Sequence, residues 1–214
     1  MAPTDRFRAR KQPRQQRSAQ TRRDILDAAA RVFSEHGYAA GTTNRIAAAA
    51  DVSIGSLYQY FPNKDAILAA LTDAHIDAGT TLLAERLRDG LPAALDDLVR
   101  LFVRAAIDNH RGDPALHRVL FEEAPRSAAL LNRLRDTEAH GVAAVTELLC
   151  RHPEVRVADP EFAARLAIAT IESLVHRLIA APVDTAQLED EVVRLLTGYL
   201  RASEAIPAAA PPPA

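Results

Sequence analysis

The chain has 214 residues, of which 48% are hydrophobic and 25% are charged, and this is the composition of a soluble globular protein. Its single cysteine, Cys150, excludes an internal disulfide and a zinc site made of cysteines alone. No apolar run is long enough to span a bilayer and no signal-peptide pattern is present, so we expect a cytoplasmic protein with no membrane partner.

Charge is distributed unevenly along the chain. Residues 1–23 contain eight basic residues against the single acidic Asp5, a charge of +7, so the remaining 191 residues carry −9 within a net charge of −2. A basic end on an acidic body suits a protein that touches DNA at one end. The other interpretation of this segment is a solvated tail, and we expect residues 1–17 to be disordered in the free protein.

Helix signals dominate, and no convincing strand alternation or hairpin dipeptide is present, which predicts an all-α fold of about nine helices. Ser18 is expected to cap the first helix, and Gly37 is expected to end it. Thr42 or Thr43 then caps a short second helix.

A tight turn at Asp51 and Val52 leads from the second helix into a third. Ser53 caps this third helix, which runs to about Phe61. Two short helices joined by a turn of about three residues have the geometry of a helix-turn-helix. A fourth, longer helix begins after Asn63.

The third helix carries side chains suited to a major groove. Gln59 can bond adenine through two hydrogen bonds, Ser56 can bond a base edge, and Ile54 can contact a thymine methyl group. Tyr58 and Tyr60 can donate to phosphates, although they could instead pack the small domain. The predicted DNA-binding residues are Thr43, Asn44, Arg45, Ser53, Ile54, Gly55, Ser56, Tyr58, Gln59, Tyr60 and Lys64.

Proline and glycine divide the rest of the chain into five further helices. We predict them over about 93–110, 114–125, 127–151, 160–181 and 185–203. The tail from Ala205 is rich in proline and alanine and is expected to be disordered. The predicted organisation is a basic arm (1–17), a helix-turn-helix domain (18–64), a helical regulatory and dimerisation domain (65–204) and a tail (205–214).

The block from Thr21 to Leu71 resembles the N-terminal domain of the TetR family of bacterial regulators. One departure is Asp51, where the family usually has glycine, and Asp tolerates the left-handed conformation better than most residues. The resemblance implies a homodimer that reads a pseudo-palindromic operator, usually as a repressor. The matching stretches are Ile25–Ala29, Phe33–Tyr38, Thr42-Thr43, Ile46-Ala47, Val52-Ser53, Gly55–Phe61 and Lys64–Leu68.

The resemblance also implies dimerisation through the last two long helices. In the helix that contains Glu161, apolar residues occur almost all round, so both of its sides must be covered. One side can face its own domain and the other a partner, although both helices could also be central to a monomer core. The predicted interface residues are Phe162, Leu166, Ala169, Leu188, Val192, Leu195 and Tyr199.

By the same resemblance, the helices between Lys64 and Arg151 should enclose a pocket for a small-molecule effector of unknown identity. Glu172 and His176 lie one turn apart in a very apolar helix and could orient a ligand, although pairing with each other or across the dimer is favoured. The predicted ligand-binding residues are Phe102, Phe121, Leu134, Thr137, Gly141, Glu172 and His176.

No catalytic triad order, phosphate loop or hydride-cofactor pattern is present, and the seven histidines are scattered without metal-ligand spacing. We therefore predict no enzymatic activity, no cofactor and no metal site. The main hypothesis is a dimeric repressor that a ligand releases from DNA. The alternative is an accessory DNA-binding protein without an effector.

Overall fold

The computed structural model describes residues 13–88, 90–123, 125, 127–178 and 183–202. Within these ranges all regular secondary structure is helical, which confirms the predicted fold class. The helices are α1 (Pro13–Ala40), α2 (Thr43–Ala49), α3 (Ile54–Tyr60), α4 (Lys64–Arg86), α5 (Leu95–His110), α6 (Pro114–Arg118), a π-helical turn (Val119–Glu123), α7 (Ala128–Arg151), α8 (Pro160–Leu178) and α9 (Thr185–Arg201). In the described part of the chain, none of them is long and apolar enough to cross a membrane.

Side-chain caps begin most of these helices, and the predicted caps Thr42 and Ser53 are among them. Ser53 Oγ accepts a hydrogen bond from the backbone N of Ser56 at 3.0 Å, and Asn63 Oδ1 accepts one from Ala66 N at 2.8 Å. Each such cap stabilises its helix by about 1 kcal/mol, because it satisfies a donor that has no partner within the helix. Equivalent bonds are made by Thr42, Ser127, Asp159 and Asp184.

The predicted start of the first helix is wrong. α1 begins at Pro13, so Ser18 lies inside the helix and residues 13–17 of the expected disordered arm are helical. Proline is well placed in a first helical turn, and the glutamines and arginines that follow are good helix formers. The rest of the predicted arm, residues 1–12, and the predicted tail lie outside the described residues.

Two other boundaries differ from the prediction in detail. Gly37 has φ 71° and ψ 175°, which are not helical values, so it interrupts α1, and a further short turn follows to Ala40. Gly41 N donates a hydrogen bond to Gly37 O at 3.0 Å just after this turn. The single helix predicted over 114–125 is instead the short α6 followed by the π-helical turn.

The chain folds into two compact units. The head comprises the described residues within 1–74 and 115–125, and the body comprises those within 75–114 and 126–214. The segment with α6 and the π-helical turn therefore packs in the head, although α5 before it and α7 after it belong to the body. The first part of α4 also belongs to the head, whereas the sequence division placed it in the regulatory domain.

Each unit has its own apolar core. The largest fully buried side chains of the head are those of Ile25, Phe33, Ile46, Leu57 and Ile67. The body core is formed by α5, α7, α8 and α9, and it includes Leu95, Val103, Val175, Val192 and Leu200. Burying a side chain of this size contributes roughly 1.5–3 kcal/mol, so both units have a stable frame on which to place exposed side chains.

Candidate DNA-binding surface and regulatory cavity

Buried side chains and a left-handed turn fix the angle between α2 and α3. Ile46 of α2 and Leu57 of α3 are completely buried, and Ala47 is small enough to let the helices approach closely. At the turn, Asp51 has φ 53°, a left-handed conformation that fits the position where the family usually has glycine. Val52 N donates to Ala47 O at 3.0 Å. The outward direction of α3 is therefore set by the core beneath it.

Opposite this core, α3 presents the side chains that were predicted to read DNA. Gln59 and Gly55 are exposed, Tyr58 is 51% exposed and Ile54 is 39% exposed, while Ser56 and Tyr60 are half-buried. On α2, Asn44 and Arg45 are exposed and Thr43 is half-buried.

Several hydroxyl groups on this surface bond to each other. Ser53 Oγ lies 2.8 Å from Ser56 Oγ and also caps α3, so both serines are committed to the start of the helix. Thr43 Oγ1 lies 3.3 Å from Tyr58 Oη and joins α2 to the outer face of α3. Because one phenol is thus anchored and still half exposed, it can donate or accept at a defined position.

Lys64, which was predicted to contact phosphate, is half-buried and bonds to the backbone of the head. Its Nζ donates to Tyr38 O at 2.9 Å and lies 3.9 Å from the centroid of the Tyr38 ring. The Tyr38 hydroxyl bonds to Asp65, and burial, together with the hydrogen bond and charge of that carboxylate, raises the pKa of Tyr38 to about 12. Glu123 accepts from Tyr38 N at 3.0 Å. Lys64 therefore secures the start of α4 to the end of α1.

A polar groove beside α3 was missed in the sequence. It is lined by Tyr60 and by four residues of α1, namely Gln15, Arg17, Ser18 and Thr21. Thr21 Oγ1 donates to Arg17 O at 3.0 Å, as expected within a helix. The density of arginines was the available signal, but the assumption that residues up to 17 are disordered concealed the fact that Arg17 lies on a helix beside Tyr60.

The predicted dimer residues fall into two groups. Phe162, Leu166 and Ala169 of α8 and Leu195 of α9 are exposed, with Phe162 at 60% and Leu195 at 57%. Leu188 and Val192 are 5% and 2% exposed and belong to the core of their own chain, so their prediction as interface residues is wrong. Tyr199 is half-buried against the same core.

The body contains a small apolar cavity between α5, α7, α8 and α9. Its volume is about 50 Å³, and every side chain that lines it is a hydrocarbon. Of the predicted ligand-binding residues, Phe102 lines it. The other lining residues are Leu95, Leu98, Val99, Val145, Leu149, Ala167, Ile168, Ile171, Leu196 and Leu200.

The remaining predicted ligand residues do not line this cavity. Phe121 packs in the head, with its ring stacked on His117 at 4.5 Å between centroids, because the π-helical turn that carries it belongs to that unit. Leu134 and Thr137 are half-buried on α7. Gly141 lies next to the cavity wall, where an added Cβ would come within 3.7 Å of Ile168 Cδ1.

Glu172 and His176 occupy different environments on α8. Glu172 is exposed as a whole residue, but partial burial of its carboxyl group and the charge of Glu138 raise its pKa. The ring of His176 packs on His110 with centroids 4.4 Å apart. Burial, with smaller effects from His110 and His75, lowers the pKa of His176 to about 4, so this ring is neutral at physiological pH.

An exposed helix on a tight turn, a neighbouring helix rich in arginine and a separate helical body define the class of helix-turn-helix transcriptional regulators. Two family models match the chain, one over the helix-turn-helix and one over the helical body that follows it. Residues 25–71 match the model described as "Bacterial regulatory proteins, tetR family", and residues 94–200 match "Tetracyclin repressor-like, C-terminal domain". The chain belongs to the TetR family, and it is a DNA-binding transcriptional regulator.

Similar proteins agree with this assignment. An uncharacterized HTH-type transcriptional regulator of Mycobacterium tuberculosis is 30% identical over 184 residues, which cover 82% of this chain and 92% of the relative. An HTH-type transcriptional repressor of the same species is 33% identical over 126 residues, or 55% of this chain and 66% of the repressor. The transcriptional regulator FadR of Bacillus subtilis, solved in complex with stearoyl-CoA, shares the fold with a TM-score of 0.66 and 23% identity, over 82% of this chain and 97% of FadR.

Proposed function

We propose that this protein is a homodimeric repressor that binds a pseudo-palindromic operator through two copies of α3 and leaves it when an apolar ligand enters the body. The observation that carries the proposal is the outer face of α3. There Gln59, Tyr58 and Ile54 are exposed on a helix whose opposite side is anchored by the fully buried Leu57. A helix displayed in this way fits a major groove, where a glutamine can distinguish adenine from the other bases.

Gly55 adds independent support for close contact with DNA. A Cβ at this position would meet no heavy atom of the head nearer than Ser53 Oγ at 3.9 Å, so the fold itself does not need a glycine here. Glycine in a helix costs about 1 kcal/mol relative to alanine. A residue that the fold does not require, and that weakens its helix, is explained if the DNA backbone has to approach the helix at that point.

The groove beside α3 extends the proposed DNA contact onto α1. Arg17 and Thr21 offer a guanidinium group and a hydroxyl group, and Tyr60 closes the groove from the side of α3. These groups are donors suited to phosphate oxygens, which position a protein on the duplex without reading its sequence. We therefore assign Arg17 to phosphate binding and Lys64 to positioning α4.

Dimerisation is supported by apolar side chains exposed on the body. Phe162, Leu166 and Ala169 are spaced by four and three residues, so they share one face of α8, and α9 exposes Leu195. An exposed phenylalanine and leucine on such a face are suited to burial against a second copy. A two-fold dimer would also present two α3 helices to the two halves of a palindromic site.

The ligand we propose is one with an acyl chain. The cavity in the body is lined by hydrocarbon side chains alone, which offer no partner to a polar group. At about 50 Å³ it is far smaller than an ordinary ligand pocket of roughly 300–1,000 Å³, so entry of a ligand requires α5, α7, α8 and α9 to separate. A ligand that binds only such an opened body would shift the population away from the form that binds DNA.

The test begins with selection of genomic DNA fragments by the purified full-length protein. We expect an enriched site with two-fold symmetry, and release of that site by a long-chain acyl-CoA but not by free coenzyme A. Enrichment of one unrepeated half-site would contradict the dimer. Selection without any sequence preference would contradict the operator and favour an accessory DNA-binding protein.

A further inference from the structure

Three histidines from three different helices of the body lie side by side. His75 is on α4, His110 on α5 and His176 on α8. The ring centroid of His110 is 5.1 Å from that of His75 and 4.4 Å from that of His176. His110 is buried and its two neighbours are half-buried, so the group is sheltered from solvent without being sealed from it.

The hydrogen bond of His110 resembles those that orient a metal ligand. His110 Nδ1 lies 2.6 Å from Ala106 O, and since a carbonyl oxygen only accepts, Nδ1 carries the proton and Nε2 carries the lone pair. Histidines that bind metals commonly donate their second N–H to a backbone carbonyl in this way. His75 Nε2 lies 3.3 Å from Asn109 Nδ2, and since an amide nitrogen only donates, Nε2 accepts here and a bound ion would replace Asn109 as the partner of that lone pair.

We propose that His75, His110 and His176 form a binding site for one divalent transition-metal ion such as Zn²⁺. Two nitrogens on the same zinc ion lie about 3.3 Å apart, because each Zn–N bond is about 2.0–2.1 Å long. A ring nitrogen of His75 already lies within 4.8 Å of one of His110, so the two side chains would have to turn to bring these nitrogens to that distance. The ring of His176 packs on that of His110, with centroids 4.4 Å apart, and would turn one of its nitrogens toward the same ion.

The donor set defines the class of ion. Imidazole nitrogens suit Zn²⁺, Cu²⁺, Ni²⁺ and Co²⁺, whereas Mg²⁺ and Ca²⁺ require oxygen ligands. Three protein ligands leave a fourth position for water or another small ligand. The three histidines are separated by 35 and 66 residues, so no local spacing in the sequence could have revealed this site.

The site is tested by titrating the full-length, tag-free protein with Co²⁺, after a chelator has removed any metal already bound. We expect one Co²⁺ per chain, with the visible absorption of a low-coordinate complex, and its displacement by Zn²⁺. Conservative replacements His75→Asn, His110→Asn and His176→Asn should each weaken Co²⁺ binding by at least about tenfold, since even the loss of an outer partner of a metal ligand commonly costs 10–100-fold.

His140→Asn is the matched control. This exposed histidine of α7 makes the same 2.6 Å bond from Nδ1 to the carbonyl of the residue four positions earlier, Asp136. Its loss should leave Co²⁺ binding unchanged. Circular dichroism checks the fold of every variant, and if His110→Asn does not fold, the two half-buried histidines decide the outcome. Absence of saturable Co²⁺ binding, or equal losses in the control and in the three variants, would overturn the proposal and identify the cluster as packed neutral rings.

Discussion

The head and the body expose different chemistry. The head displays Asn44, Tyr58 and Gln59 around α2 and α3, whereas the body displays Phe162 and Leu195. Polar side chains lose little when they return to water, so the head is suited to a contact that forms and breaks. Apolar side chains gain by staying covered, so the body is suited to a lasting contact between protein chains. The contrast is the one that the proposed dimer requires, since its two chains would stay together while DNA is bound and released.

The largest expected effect concerns the buried core of the head. Leu57 is fully buried beneath the outer face of α3, so Leu57→Ala should lower the free energy of unfolding by about 3 kcal/mol and abolish DNA binding. Leu91→Ala is the control, because Leu91 is 52% exposed in the loop before α5. Urea denaturation followed by circular dichroism measures both. Equal stability of the two variants would contradict the packing described for α3.

The next prediction tests the apolar face of the body. Phe162→Glu would place a charge in the proposed interface and should weaken dimerisation by at least about a hundredfold, since burying an unpaired carboxylate is costly. Leu131→Glu on α7 introduces the same charge at another exposed leucine and should leave the dimer intact. Sedimentation velocity over a concentration series distinguishes them. If the dimer dissociated in both variants, or in neither, α8 would lose its support as the interface.

A third, smaller effect concerns the acid stability of the body. Glu189 is 12% exposed between Arg100 and Arg104. Its burial raises its pKa, but the hydrogen bonds from Arg104 and Arg100 outweigh this and hold the pKa below its usual value. A lowered pKa means that the carboxylate stabilises the fold above its ordinary pKa and loses this contribution as pH falls through the lowered one.

Glu189→Gln should therefore cost about 1–2 kcal/mol at pH 7 and progressively less below about pH 4. Glu191→Gln, which removes an exposed partner of Arg194 on the same helix, should cost under about 0.5 kcal/mol at either pH. Denaturant titrations at pH 7 and at pH 3.5 measure the difference. A cost for Glu189→Gln that does not change with pH would show that the arginines do not control this carboxyl group.

The smallest expected effect concerns the groove of the head. Arg17→Ala should weaken binding to all DNA sequences alike, by less than about 1 kcal/mol, and should reduce the slope of log affinity against log salt by about one. Arg151→Ala, at the exposed end of α7, is the control and should not alter the slope. Fluorescence anisotropy at several salt concentrations measures this. A change in sequence preference on loss of Arg17 would contradict its assignment to phosphate.

The two units were also unequally predictable from the sequence. The helix-turn-helix was found because Thr42, Ser53 and Asn63 cap their helices through neighbours only three residues away. Which faces of α8 and α9 are buried, by contrast, depends on their packing against helices that are distant in the sequence. Leu188 and Leu195 share an apolar pattern, yet α9 packs against α5, where the core cluster includes Leu188 while Leu195 stays exposed.

Long-range contacts also explain what local sequence could not show about the head. Lys64 is fixed by the carbonyl of Tyr38, 26 residues earlier, and nothing in the local sequence indicates this bond. Phe121 lies between two helices of the body in the sequence but packs in the head. The sequence predicted the types of side chain at the site well, and it predicted their intramolecular partners poorly.

The most direct measurement compares Gln59→Ala with the unaltered protein on the selected operator and on single-base variants of it. If the outer face of α3 reads the bases, wild type should discriminate against at least one adenine substitution by about 1–3 kcal/mol, and the variant should lose that discrimination while binding the variant sites as before. If the discrimination persists without the glutamine side chain, another residue reads that base and the account of α3 given above is wrong.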